Sequence, residues 1–165
     1  MYVDAFMTRA IELSAQALTE KGCEPFGAVV VKDGRIVGEG YNHAVQRHDP
    51  TSHSEIEAIR DACRNLATVD LSQTEMYTSC EPCALCVAAM LVAGVERVYY
   101  AVTLAQSDAA LAHLGQDKRP YEMDAAALRV QVGLPMEARR LASESRRADD
   151  AKAVIDAWAR AQEPR

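Results

Sequence analysis

The chain lacks an excess of positive charge, a long apolar run and an even set of cysteines, and each absence narrows what it can be. Its formal net charge is −6 at pH 7, so it offers no general attraction for phosphate backbones, the term that normally supplies most of the affinity for nucleic acid. Nucleic acid is therefore not the expected partner. The longest apolar run, Ala84 to Val95, is too short to span a bilayer, and no membrane partner is expected. The amino end, Met1-Tyr2-Val3-Asp4, carries an acid early and no cationic patch followed by an apolar block, which argues against a secretory signal and for a cytoplasmic protein. Five cysteines, an odd number, do not suggest a disulfide framework and turn attention to metal or catalytic use. Cys23 and Cys63 stand apart from the others and read as buried thiols acting as small apolar residues. Repeats, low-complexity blocks and linkers are also missing. A chain of 165 residues, about half of them apolar, reads as one domain over 1–165.

What is present alternates between helical and extended patterns. Phe6, Met7, Ala10, Ile11, Leu13, Ala17 and Leu18 recur at helical spacing, with Asp4 placed to cap the run and Gly22 to end it. Pro25 to Val31 and Arg35 to Tyr41 flank the turn signal Lys32-Asp33-Gly34, which predicts a hairpin. A second helix is predicted from about Ser52 to Leu66, a short strand over Glu75 to Thr78, and a third helix opened by Pro82. Val95 to Val102 reads as a central strand, Ala105 to Leu114 as a short helix or ordered loop, and Leu128 to Val132 as a last strand. Pro135 is expected to open a long carboxy-terminal helix, with Ala151, Val154, Ile155 and Trp158 as its apolar stripe. The pattern predicts a layered α/β domain with a mixed sheet, because the first two strands are joined by a tight turn.

Two strings carry the chemistry: His53-Ser54-Glu55, and Pro82-Cys83-Ala84-Leu85-Cys86. Cys-x-x-Cys at a helix start places both sulfurs near free backbone N–H groups, where the helix dipole favours thiolates. That geometry suits a redox dithiol or half of a metal site. His53 also stands at a predicted helix start, so two helix amino ends can converge on one ion. Ser52-x-x-Glu55 has a plainer reading as a capping box. With His53, Cys83 and Cys86 as three zinc ligands, two thiolates and a neutral imidazole cancel the ion's charge and weaken its pull on a water proton, which an adjacent carboxylate, Glu55, can take. His-x-Glu followed by Pro-Cys-x-x-Cys is the signature of the zinc nucleobase deaminases.

The chain resembles the cytidine deaminase superfamily from about Ala10 to Ala110. Within it, Pro25-Phe26-Gly27-Ala28, Asp49-Pro50-Thr51-Ser52-His53-Ser54-Glu55 and Tyr77-Thr78-Ser79-Cys80-Glu81-Pro82-Cys83 are most similar to bacterial guanine deaminases. The resemblance implies a three-layer α/β/α cytidine deaminase-like fold with a central mixed sheet of about five strands. It implies one Zn²⁺ per subunit on His53, Cys83 and Cys86, with Glu55 as the proton shuttle. Asn42 would hydrogen-bond the base, Phe26 and the Ala28 backbone would line the pocket, and Asp108 would accept from base N–H groups. Some guanine deaminases exchange the carboxy-terminal segment between subunits, so a homodimer is expected with 135–165 as a helical tail and Trp158 near the neighbour's site. Four features depart from the family pattern: Ser54 in place of alanine, the pair Ala84-Leu85, a small insertion near Leu104-Ala105-Gln106, and a last segment, Ala161 to Arg165, without an aromatic residue.

The implied activity is zinc-dependent hydrolytic deamination of a small free nucleobase, guanine to xanthine and ammonia. Cytosine or another pyrimidine, an aminotriazine, and adenosine in tRNA are the rival substrates. Outside the enzymes, a structural zinc module would need Cys80 as a fourth ligand, and a redox protein would need Cys83 and Cys86 but not His53. His43, His48 and His113 read as loop or surface histidines, because three ligands and a water already fill a tetrahedral site.

Overall fold

The computed structural model describes residues 1–115 and 123–162. The terminal Glu163, Pro164 and Arg165 of the departing segment lie outside the described residues. Two compact units divide the chain, Met1–Arg129 and Val130–Arg165.

In the first unit the hairpin forms as the pattern predicts. Strands β1 (Glu24–Lys32) and β2 (Arg35–Asn42) are joined by Asp33 and Gly34, both at positive φ, the turn that matches the twist of paired strands. The sheet order is β2-β1-β3-β4, with β3 (Thr74–Cys80) antiparallel to β1 and β4 (Arg97–Val102) parallel to β3. It is mixed, with α3 (Ala84–Ala93) as the crossover between the parallel pair.

The alternation of β1 builds both cores. Ala28 and Val30 face α2 (Ser54–Leu66) and α3, where they pack with Ala58, Ala62, Met76 and Met90. Val29 and Val31 face α1 (Asp4–Ser14), with Met7, Ala10, Leu13 and Tyr77. Helices on both faces make the expected three layers.

Four strands are present among the described residues, not five. Leu128 to Val132 lies within helix α5 (Ala125–Gly133): Asp124 Oδ1 accepts from Ala127 N at 2.8 Å, and the alanine run after that cap overrides the β-branched Val130 and Val132. The tail differs too. Pro135 leads only into a 3₁₀ turn, and the last helix, α6, runs from Ala148 to Ala161, because Ser143 to Arg147 offers no apolar residue to pack. Asp4 opens α1, but the cap position is Val3, and the Asp4 carboxylate accepts from the Tyr2 hydroxyl. A short helix, α4 (Leu104–Leu111), follows β4.

The second unit is held by local bonds. Arg139 Nε donates to Leu134 O at 2.8 Å and Gln131 Oε1 accepts from Arg140 N at 2.6 Å. On α6, Val154, Ile155 and Trp158 are all exposed. No helix among the described residues is long and apolar enough to cross a membrane.

The antiparallel start of β1 meets the ends of β2 and β3, and this edge of the sheet holds the site. Glu24 pairs with Asn42 but Gly27 with Tyr41, so Pro25 and Phe26 bulge out of the ladder. Such a bulge re-aims side chains beside a site.

Candidate metal centre and active site

His53 and Cys83 occupy the N-cap positions of α2 and α3, both with extended backbone, and neither side chain caps its own helix. They face each other instead. His53 Nδ1 lies 3.6 Å from Cys83 Sγ and 3.5 Å from Cys86 Sγ, and the two sulfurs are 3.8 Å apart. All three residues are buried. Tetrahedral zinc, with bonds of about 2.3 Å to sulfur and about 2.0–2.1 Å to nitrogen, places two sulfurs about 3.8 Å apart and nitrogen about 3.5 Å from sulfur. The triangle fits that ion, and it joins residues that the sequence separates into two strings.

The titration of the group agrees with a cation site. The thiol of Cys86 and the ring of His53 pull Cys83 down to about 4. Cys86 is pushed up, chiefly by the hydrogen bond it gives Cys83 and then by burial, and His53 is raised chiefly by its bond to Cys83. A thiolate at Cys83 is the form that ligates a metal. Ile56, Leu85, Ala89 and Met123 surround the sulfurs with apolar surface.

Glu55 belongs to the first turn of α2 and is buried. The capping box does not form: Ser52 Oγ donates to Glu57 Oε1 at 2.9 Å, and Glu55 is left to face inward. Burial lifts the Glu55 carboxyl above the usual carboxylate range, opposed by hydrogen bonds that include one from Ser54 Oγ to Oε2 at 2.9 Å. Ser54, the departure from alanine, thus touches the carboxylate.

One cavity takes in His53, Glu55 and Cys83 together with Phe26, Asn42 and Asp108. Phe26 reaches it from the β1 bulge and Asp108 from α4. Asn42 is buried, and its Oδ1 accepts from Ala44 N at 2.9 Å, which leaves Nδ2 as the donor end of the amide.

A family model described as the cytidine and deoxycytidylate deaminase zinc-binding region matches residues 2–102. The chain belongs to this family. Over 98 residues it is 43% identical to guanine deaminase of Bacillus subtilis, covering 59% of this chain and 63% of that protein. It is 40% identical over 86 residues to the tRNA-specific adenosine deaminase of Aquifex aeolicus, covering 52% of this chain and 57% of that protein. In both alignments the chain thus spans less than two thirds of the relative's length. The X-ray structure of the Bacillus subtilis guanine deaminase superposes with a TM-score of 0.81 at 32% identity, covering 100% of this chain and 99% of that one. A structure solved in complex with 2,6-diaminopurine matches at a TM-score of 0.61 and 31% identity, covering 64% of this chain and 59% of that one.

Cys80 and Leu104 line the same cavity, and so do Glu24, Glu81 and Ser107, to which no sequence motif assigned a role. Glu81 ties its roof together: Oε2 accepts from Leu104 N at 3.1 Å, and Oε1 pairs with Arg129 at 3.3 Å. Glu24 and Glu81 are adjacent to Pro25-Phe26 and Pro82-Cys83, the only signal that would have drawn attention to them. Ala28 is fully buried, its methyl in the core with Val30 and Ala58, and it is not part of the cavity lining. Trp158 belongs to α6 in the second unit. Cys80 is buried against the cavity and is not one of the three clustered ligand residues. Cys23 and Cys63 are half-buried rather than buried. His43 lies in the loop after β2, as expected, but it is buried there, with Nδ1 2.7 Å from Gln46 Oε1.

Proposed function

We propose that the protein is a hydrolytic deaminase of a free purine base, converting guanine and water to xanthine and ammonia. The observation that carries this reading is the position of Glu55, a buried carboxylate that opens into the same cavity as His53 and Cys83 of the ligand triangle. Zinc held by those three residues is a Lewis acid that brings the pKa of water toward neutrality.

Glu55 then does the proton work. Ser54 engages Oε2, so Oε1 takes the proton of the attacking water and gives it to the ring nitrogen beside the amino-bearing carbon. The carboxylate then takes the second proton of that water from the new C–OH group and gives it to the amino nitrogen, so that the C–N bond breaks, the carbonyl forms and ammonia leaves. The raised affinity of Glu55 for a proton suits a group that must be base and acid in turn. Phe26 covers one face of the base, the Asn42 amide donates to it, and Asp108 accepts from its N–H edge. The Asp108 carboxylate, which lines the cavity beside Glu55, favours a ligand that presents N–H donors, as guanine does.

The reading extends to the assembly. A homodimer in which the 135–165 tail of one subunit brings Trp158 to the other's pocket accounts for the exposed Val154, Ile155 and Trp158 of α6. Deamination of adenosine in tRNA is the second reading, supported by the identity to the Aquifex aeolicus protein and opposed by the net charge of −6.

The test is ammonia release from guanine, adenine, cytosine, aminotriazines and tRNA, with zinc measured in parallel. Guanine should be turned over, and Glu55→Gln should keep one zinc per chain while losing about 10²–10⁴-fold in kcat. Turnover of tRNA but not of guanine would replace the substrate, and a fully active Glu55→Gln variant would overturn the mechanism.

A further inference from the structure

We infer that Glu57 is a positioning residue that fixes the loop carrying both His53 and Asn42. The segment between β2 and α2 closes on itself: His43 N donates to Ser52 O at 3.0 Å, Asp49 N to Ala44 O at 3.0 Å and Ser52 N to Asp49 O at 3.0 Å. Asn42 stands at one end of this closed loop and His53 at the other. The shortest side-chain bonds that tie the loop to α2 converge on one buried carboxylate. Glu57 Oε2 accepts from Arg47 Nη1 at 2.7 Å, and Oε1 accepts from Ser52 Oγ at 2.9 Å and Arg60 Nη1 at 2.6 Å. Arg60 in turn reaches Asp49 at 3.7 Å, so Glu57 holds the loop from two of its positions directly and from a third through Arg60.

The geometry dictates a consequence for the metal. The ring of His53 reaches two sulfurs at 3.5 and 3.6 Å, while its backbone is the junction between the loop and α2. Charge-assisted bonds are about twice as strong as neutral ones, and two of the three bonds to Glu57 come from guanidinium groups. If the carboxylate is lost, the loop keeps its backbone bonds and the longer contacts of Arg60 with Thr51 at 3.4 Å and Asp49 at 3.7 Å, but it loses the bonds to Arg47 and Ser52, the residue next to His53, and the imidazole is held less firmly at its angle of approach. Partners that hydrogen-bond a metal ligand directly are worth about 10–100-fold in metal affinity, and Glu57, which acts on His53 through the loop, belongs at the low end of that range.

This inference rests on the zinc reading of the triangle and not on the identity of the base, so its test does not need a substrate. Zinc affinity is measured on the full chain by competition with a fluorescent chelator, beside the Tm of the metal-free protein. Glu57→Gln should weaken zinc about tenfold. Arg47→Ala, which removes one bond from a half-exposed partner, should weaken it less, and it keeps the test open if Glu57→Gln does not fold. Arg9→Ala breaks a comparable pair, Arg9 with Glu39 at 2.8 Å, away from the loop, and should leave zinc affinity unchanged. A purely structural Glu57 would lower the Tm of the metal-free protein while the folded variants bind zinc as tightly as the parent, and that result overturns the inference.

Discussion

Two cysteines three residues apart, Cys80 and Cys83, show how far local surroundings separate identical side chains. Burial pushes the Cys80 thiol up to about 11, against a hydrogen bond with Ser107 that lowers it. Cys83 sits at about 4, because the Cys86 thiol and the His53 ring both stabilise its thiolate. The signs differ, and so must the chemistry. A raised pKa keeps Cys80 protonated until the pH nears 11, so roughly one thiol in a thousand is ionised at pH 8. A depressed pKa leaves metal-free Cys83 as thiolate above about pH 4. Alkylation by iodoacetamide, followed residue by residue in a mass spectrometer, should therefore modify Cys83 at pH 6 once a chelator has removed zinc. Cys80 should stay unmodified at that pH, and its rate should climb about tenfold per pH unit between 8 and 10. Zinc should protect Cys83 completely. Equal labelling of Cys83 with and without zinc would show that the thiolate is not a ligand.

At the scale of elements, the site depends on how closely α2 lies on β2. Gly40 has no side chain because none fits: a Cβ there would stand 2.4 Å from both Ser54 O and Ala58 N. At Gly38 it would stand 2.4 Å from Ala58 O and 2.5 Å from Ala62 N. These are backbone atoms, so the helix itself must move. Gly40→Ala lifts the first turn of α2, which carries Glu55 and follows His53, whereas Gly38→Ala lifts the middle. Both should cost about 2–3 kcal/mol in chemical denaturation, but only Gly40→Ala should also weaken zinc binding. Much of this arrangement was legible in the sequence, namely the hairpin turn, the amphipathic helices and the convergence of two helix starts on one ion, because each rests on local pattern. The misreadings occurred where pattern and partner disagree. Val130 and Val132 looked like a strand, yet an Asp124 cap and three alanines made a helix. Glu57 carries no local signal, being one charged residue beside Ile56, and only the fold brings Arg47, Ser52 and Arg60 around it.

At the scale of the whole molecule, net acidity and an exposed tail point in one direction. A chain of formal charge −6 repels a polyanion but not a neutral base, so under the proposed reading the base is selected by short-range contacts in the cavity. Trp158 is 67% exposed, with Val154 and Ile155 beside it on α6 at 70% and 64%. An apolar stripe of that kind is unfavourable in water, and a second subunit can cover it while an aromatic ring closes over a purine. Mixing two inactive variants separates this from a tail that serves only its own subunit. Glu55→Ala keeps a normal tail but has no proton shuttle, and Trp158→Ala keeps the shuttle but loses the ring. If the tail is exchanged, each mixed dimer contains one site with Glu55 from one chain and Trp158 from the other. Random pairing of equal amounts makes half the dimers mixed, so guanine turnover should recover to about one quarter of the parent activity. Chains that use their own Trp158 would give no recovery, and a fully active Trp158→Ala variant would remove the residue from the site altogether. The same mixture run on a sizing column should elute as a dimer, because a monomer cannot complement.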